Sequence, residues 1–200
     1  HLFRSAEVWE RGAVDLERAF DALARALKLA PDDVETRERL ARMADEQKAW
    51  ARLVDLYEDA ADHANEAAAA TSLLFEVASI HARQNDGAAA ESLLRRILGM
   101  APDDARARTE LESLLEKQGR WVDLAAVLEE RTDPRLGSAA PEAERPPFLR
   151  KLAAIYDEKL GKPYEAITAL ERLRELLHDA PDTLDGLATL YAKVGRWAKV

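Results

Sequence analysis

The chain has no cysteine among its 200 residues, which excludes disulfides, thiolate metal sites, iron–sulfur clusters and cysteine nucleophiles together. Glycine and proline number only 8 each and aromatic residues make up 6%, so strong turn signals are few. Positive charge is in deficit: 29 Lys and Arg against 38 Asp and Glu leave a net charge of −9. Such a chain lacks the basic footprint that nucleic-acid binding needs. No apolar run approaches the length of a bilayer span, so membrane insertion is not expected. Against these shortages stand a 48% hydrophobic share, too high for intrinsic disorder, and an abundance of Ala, Leu, Glu and Arg. Those residues lose little side-chain freedom in a helix, and no segment sustains period-two alternation, so the expected fold class is all-α. The Ala- and Arg-rich composition also suggests a bacterial source.

Compared with itself, the sequence repeats. Ala30-Pro31-Asp32-Asp33 returns as Ala101-Pro102-Asp103-Asp104, and Trp50 returns as Trp121, both after 71 residues. Trp197 follows Trp121 after 76, and Ala19, Ala90 and Ala166 fall on the same two shifts. On that register His178 stands where Pro31 and Pro102 stood. The copies run approximately 1–64, 65–131 and 144–200 within a single repeat domain, 1–200, with an insert at 132–143. This insert carries the only Pro/Gly/Ser-rich stretch and reads as a lengthened solvent loop, with a docking loop or hinge as the alternative. Four of the five extra residues of the third copy fall between Trp121 and Ile155. The fifth is expected in the turn Leu160-Gly161-Lys162-Pro163. His1 and Val200 look like cut ends, so the chain reads as a piece of a longer protein.

Each copy contains four helical patterns. In the second, Leu73, Leu74, Val77 and Ile80 end near Asn85-Asp86-Gly87, and Leu93 to Met100 end before Pro102. Leu111, Leu114 and Leu115 then run to Gly119, and Val122, Leu124, Val127 and Leu128 close the copy. Asp103 or Asp104 is placed to cap the third of these helices. Each half-copy resembles a tetratricopeptide repeat, a family of helix–turn–helix units of about 34 residues. The sixth unit carries Leu184, Leu187, Ala188 and Tyr191, then Gly195 and Trp197. The fifth has Leu149, Leu152, Ala153 and Tyr156, then Ala166. The third has Leu74, Val77 and Ala78, then Ala90 and Pro102; the first has Phe3, then Ala19, Leu23, Ala26 and Pro31, with Trp9 one place before the tyrosine position. The second and fourth units depart from the pattern, with Ala44 at the tyrosine position and Glu112 at a small-residue position. The resemblance implies a right-handed superhelical α-solenoid of about six hairpins and 11–12 helices.

Chemistry has no visible foothold. The histidines His1, His63, His81 and His178 are scattered, and the one Glu-x-x-His pair, Glu175 and His178, lacks the second pair that a dimetal site needs. No nucleophile elbow, dinucleotide fingerprint or phosphate loop occurs. No catalysis, metal or cofactor is therefore expected. Trp50, Trp121 and Trp197 could form an aromatic box, but their shared place in three copies argues for packing between successive helices. The resemblance also implies a concave groove. It would be lined by Glu35, Glu38, Arg42, Asp45 and Glu46 from the second unit and Ser72, Phe75, Ser79, Ala82 and Arg83 from the third. The fourth would add Arg106, Thr109, Ser113, Glu116 and Lys117, and the fifth Arg150, Ala154, Asp157 and Glu158. The family's asparagine-and-lysine clamp for a C-terminal carboxylate is absent. An acidic wall around Glu35, Glu38 and Asp45 beside Phe75 suits a basic or amphipathic peptide. The expected function is a non-catalytic protein–protein interaction scaffold, and the expected compartment is the cytoplasm. Structural self-assembly through exposed hairpin ends is the alternative, or service as the regulatory arm of an enzyme whose catalytic domain lies outside the chain.

Overall fold

The computed structural model describes residues 16–136, 139–178 and 180–195. Phe3, Trp9, His1 and Trp197 lie outside them. The described residues form ten α-helices and no strand. They are α1 Leu16–Leu29, α2 Val34–Gln47, α3 Trp50–Asp62, α4 Ala67–Arg83, α5 Gly87–Met100, α6 Ala105–Lys117, α7 Trp121–Thr132, α8 Arg145–Ala154, α9 Pro163–Leu177 and α10 Pro181–Lys193. A short 3₁₀ turn, Glu142–Glu144, leads into α8, and a π-helical turn, Ile155–Lys159, continues it. By internal contacts the chain divides into two compact units, His1–Leu111 and Glu112–Val200. The insert thus lies within the second unit.

Helix starts follow the sequence repeat. α2, α6 and α10 begin at Val34, Ala105 and Pro181, which are 71 and 76 residues apart. Aspartates set the first two of these ends: Asp33 accepts from the Thr36 N–H at 3.1 Å and Asp104 from the Ala107 N–H at 2.8 Å. In the third copy Pro181 takes over, its fixed φ suiting the first helical turn. Lys48, Gly119 and Gly195 share one repeat position and one backbone geometry, with φ of 53°, 67° and 71°. At the first two, a left-handed residue closes the helix with matching bonds. The Ala49 N–H donates to Ala44 O at 2.8 Å, and the Arg120 N–H to Leu115 O at 3.0 Å.

In the first unit, consecutive helices α1 to α5 pack on one another. Leu23, Leu27, Leu40, Leu53, Leu73, Leu74 and Ile97 are fully enclosed there, each stabilising by about 1.5–3 kcal/mol relative to exposure. In the second unit α7 packs on α8, α8 on α9 and α9 on α10, around Leu115, Leu124, Leu149, Leu152 and Leu173. Ala166, Ile167, Leu187, Leu190 and Tyr191 form a cluster between α9 and α10. The repeated alanines Ala19, Ala90 and Ala166 are all buried, and their small size lets helix axes approach. Leu40, Leu111 and Leu187 share a repeat position and are buried in every copy.

The fifth extra residue is not in the turn before Pro163. Within the second copy the Gln84 N–H bonds to Ile80 O four residues back; at the corresponding end of α8, the Leu160 N–H bonds to Ile155 O, five residues back. The residue is absorbed inside the helix as one wide π turn. The insert is also partly packed down, since Ala140 is buried and its N–H donates to Arg131 O at 2.8 Å. Arg145 Nε holds the Ala140 carbonyl at 2.7 Å, and Arg135 forks onto Asp133, keeping that carboxyl far below its usual range.

Candidate docking surface

The α2 helix buries Thr36, Arg37, Leu40, Met43 and Ala44 and exposes Glu35, Glu38, Arg42, Asp45 and Glu46. Its buried residues recur every three or four positions, so the acidic residues between them are forced outward. Among the described residues Glu35 meets only Arg39, one turn along at 3.6 Å. Glu38, Asp45 and Glu46 have no ion-pair partner among the described residues.

On α4 the expected groove residues divide. Ser79, Ala82 and Arg83 are exposed, Ser72 is half-buried and Phe75 is buried. Arg106 of α6 lies over the Phe75 ring, 4.1 Å from its centroid, and also pairs with Glu110 at 2.8 Å. Phe75 therefore presents no open aromatic face; the accessible group at that place is the guanidinium. Thr109 is exposed with its hydroxyl turned back to Ala105 O, and Ser113 is half-buried. Ser72 is held by a residue the sequence reading did not single out. Arg37 Nη1 donates to Ser72 Oγ at 2.6 Å and to Glu76 Oε1 at 2.9 Å, joining α2 to α4. The buried Tyr57 hydroxyl of α3 donates to Arg37 O at 3.0 Å. Burial raises the Glu76 carboxyl pKa, against the opposing pull of Arg37, and burial likewise lifts the Tyr57 phenol above its usual range. The signal for Arg37 was present in the sequence, because Arg108 stands 71 residues later at the same repeat position.

Glu112, the misfit at a small-residue position, is buried in the second unit and paired with Arg131 Nη1 at 2.7 Å. Arg131 in turn sits 3.6 Å from the Phe148 ring centroid, and Lys151 bridges Glu112 at 3.8 Å and Glu116 at 2.9 Å. In the first copy the same two positions hold Ala41 and Ala60. Where the first copy has two alanines, the second has an ion pair.

The four residues expected from the fifth unit, Arg150, Ala154, Asp157 and Glu158, come together on one groove of about 420 Å³ in the second unit. The two described tryptophans are half-buried, each beneath a cation. Arg83 lies 4.9 Å from the Trp50 centroid and Lys159 5.3 Å from that of Trp121. Arg83 and Lys159 also share a repeat position, so the contact recurs with the fold. His178 is exposed and ends α9 in the left-handed region. Among the described residues no three His, Asp or Glu side chains converge to hold a metal ion, and no helix is long and apolar enough to cross a membrane.

No family model matches the chain, and no curated protein matches it. Solved structures similar to it include MamA from Desulfovibrio magneticus RS-1, with 14% identity over 84% of this chain and 89% of that one and a TM-score of 0.44. A tetratricopeptide repeat protein from Parabacteroides merdae is similar at 16% identity over 99% and 74%, with a TM-score of 0.44. YrrB, a TPR protein with an unusual peptide-binding site, is similar at 15% identity over 92% and 89%, with a TM-score of 0.42. Consecutive helix hairpins, small residues buried at shared positions and a repeated helix-end geometry make this an all-α, helical-repeat chain.

Proposed function

We propose that the chain is a non-catalytic scaffold that docks a basic or amphipathic protein segment on the exposed faces of the first helices of its hairpins. The supporting observation is the α2 face, where Glu38, Asp45 and Glu46 stand exposed with no ion-pair partner among the described residues. Carboxylates left unpaired on a rigid helix attract a cationic partner from a distance and reject an acidic one. The helix is ordered before binding, so the partner alone bears the ordering cost.

A peptide array graded by net charge tests this reading. Binding should rise with positive charge and weaken as salt is added, since exposed charges are screened over about 8–10 Å at physiological ionic strength. The triple variant Glu35→Lys/Glu38→Lys/Asp45→Lys should reverse the charge preference while keeping its helix content. A flat response to peptide charge, or an unchanged response in the triple variant, would refute it.

A further inference from the structure

Beneath the α2 face of the first unit lies a joint of polar groups. Arg37, 8% exposed, stands on α2 between the outward Glu35 and Glu38 and turns inward. Its guanidinium donates to Ser72 Oγ at 2.6 Å, to Glu76 Oε1 at 2.9 Å and to the Asp32 carbonyl at 3.4 Å. Its Nε has no hydrogen-bond partner among the described residues. Of these three acceptors only Glu76 carries a charge, so it alone can cancel that of Arg37. The Glu76 side chain is 38% exposed and so exchanges protons with water. Facing it are Arg37 of α2, the Tyr57 phenol of α3 and Arg106 of α6. The α5 helix, packed on α4 as well, carries a pair of its own, Glu91 and Arg95 at 2.9 Å. Burial outweighs the two cations and favours the neutral carboxyl, so Glu76 gives up its charge at a higher pH than an ordinary glutamate.

A buried guanidinium with one titratable counter-charge couples protons to the surface above it. We infer that this joint is a proton-sensitive regulator of the α2 docking face: ionised Glu76 cancels Arg37 and leaves the face acidic, whereas protonated Glu76 leaves the charge of Arg37 to oppose a cationic segment. Arg37 keeps Ser72 and the Asp32 carbonyl in both states, which holds α2 on α4 while the field over Glu35 and Glu38 changes. One elementary charge at about 10 Å, in a medium between protein and water, alters affinity for a single cation about two- to threefold. The effect is reciprocal: docking a cation holds Glu76 ionised, so a proton leaves the carboxyl on binding. The inference rests on the scaffold reading and adds to it the condition under which the partner is released.

The probe is a rhodamine-labelled, lysine-rich peptide without histidine or carboxylates, whose own charge stays constant at mildly acid pH. Its affinity for the intact chain, read by anisotropy at fixed ionic strength, should fall about two- to threefold from about pH 7 to about pH 5. Glu76→Gln keeps every carboxylate of the α2 face. It should bind more weakly than wild type at about pH 7 and lose most of that fall, with helix content unchanged by circular dichroism. Calorimetry in two buffers of different ionisation heat should record proton release on binding to wild type and none with the variant. A carboxyl NMR titration of Glu76 needs no variant: its midpoint should move down when the peptide is present. Parallel pH profiles for wild type and Glu76→Gln, or a midpoint that ignores the peptide, overturn the regulator and leave the scaffold reading standing. Failure of the peptide to bind at any pH refutes the scaffold reading, and the regulator with it.

Discussion

Replacing Lys48 by glycine isolates the backbone cost of one helix end. Lys48 holds φ 53° and ψ 32°, in the left-handed region that crowds a Cβ against the following carbonyl. That conformation costs a non-glycine residue about 1–2 kcal/mol. Glycine removes the cost but loosens the unfolded chain, which returns about 0.4–1 kcal/mol. The side chain is exposed and has no partner among the described residues, so nothing else is lost. Lys48→Gly should therefore stabilise by about 0.5–1 kcal/mol, which for a chain of this size raises Tm by about 1–4 °C. The repeat supplies an internal control. Gly119 makes the same bonds, and a Cβ there would meet nothing closer than Trp121 Nε1 at 3.8 Å. Gly119→Ala should thus destabilise by about 1 kcal/mol through the backbone alone. Urea and thermal unfolding followed by circular dichroism would read both shifts. If Lys48→Gly lowers the midpoint, or Gly119→Ala leaves it in place, the left-handed geometry is not what these positions hold in solution.

At the Glu112–Arg131 pair, Glu112→Ala strands a half-buried guanidinium and should cost about 3 kcal/mol in urea unfolding. Arg131→Ala should cost less, because Lys151 stays within 3.8 Å of Glu112. The double alanine variant, which restores the residues of the first copy, should lose less than the two singles summed; strict additivity would refute the coupling. Glu76 has a raised pKa, so its contribution to stability is fully present below its ordinary value of 4.5 and is lost as pH rises through the folded value. Glu76→Gln should remove that part of the pH profile, and identical wild-type and variant profiles would count against it. Leu40→Ala, at a position with 0% exposure, should cost about 2–5 kcal/mol. Leu29→Ala, at 79% exposure, should stay within about 0.5 kcal/mol of wild type in the same assay.

The architecture was legible because it is written several times. Ala19, Ala90 and Ala166 or Trp50 and Trp121 each say little alone, but at fixed spacing they set the helix register throughout, and helix starts follow it. The surface was harder to read, since exposure can be inferred from periodicity whereas pairing cannot. Glu38 and Arg106 look alike in a list of outward positions, yet one has no ion-pair partner among the described residues and the other is spent on Phe75 and Glu110. Glu112 looked like a flaw in the pattern because its partner, Arg131, is 19 residues away on the next helix. Comparing both positions with Ala41 and Ala60 at once would have exposed the exchange. The buried Thr183 hydroxyl, with no hydrogen-bond partner among the described residues, carries no sequence signal, because burial of one atom depends on how neighbouring helices close around it.

The wide turn after α8 separates two quantities that a repeat seems to bind together, its length in residues and its phase in space. A residue gained in a connecting loop leaves every helix face as it was, whereas one gained inside a helix would rotate all that follows by about 100°. Here the rotation is confined to a single turn, and by Pro163 and Ala166 the chain has resumed the face that Gly87 and Ala90 occupy in the copy before it. Helical arrays of this kind can accept single-residue insertions within their packed elements, provided the wide turn falls at a helix end. Sequence drift in the period is then a record of where such ends have been rewritten, while the packing they serve stays constant.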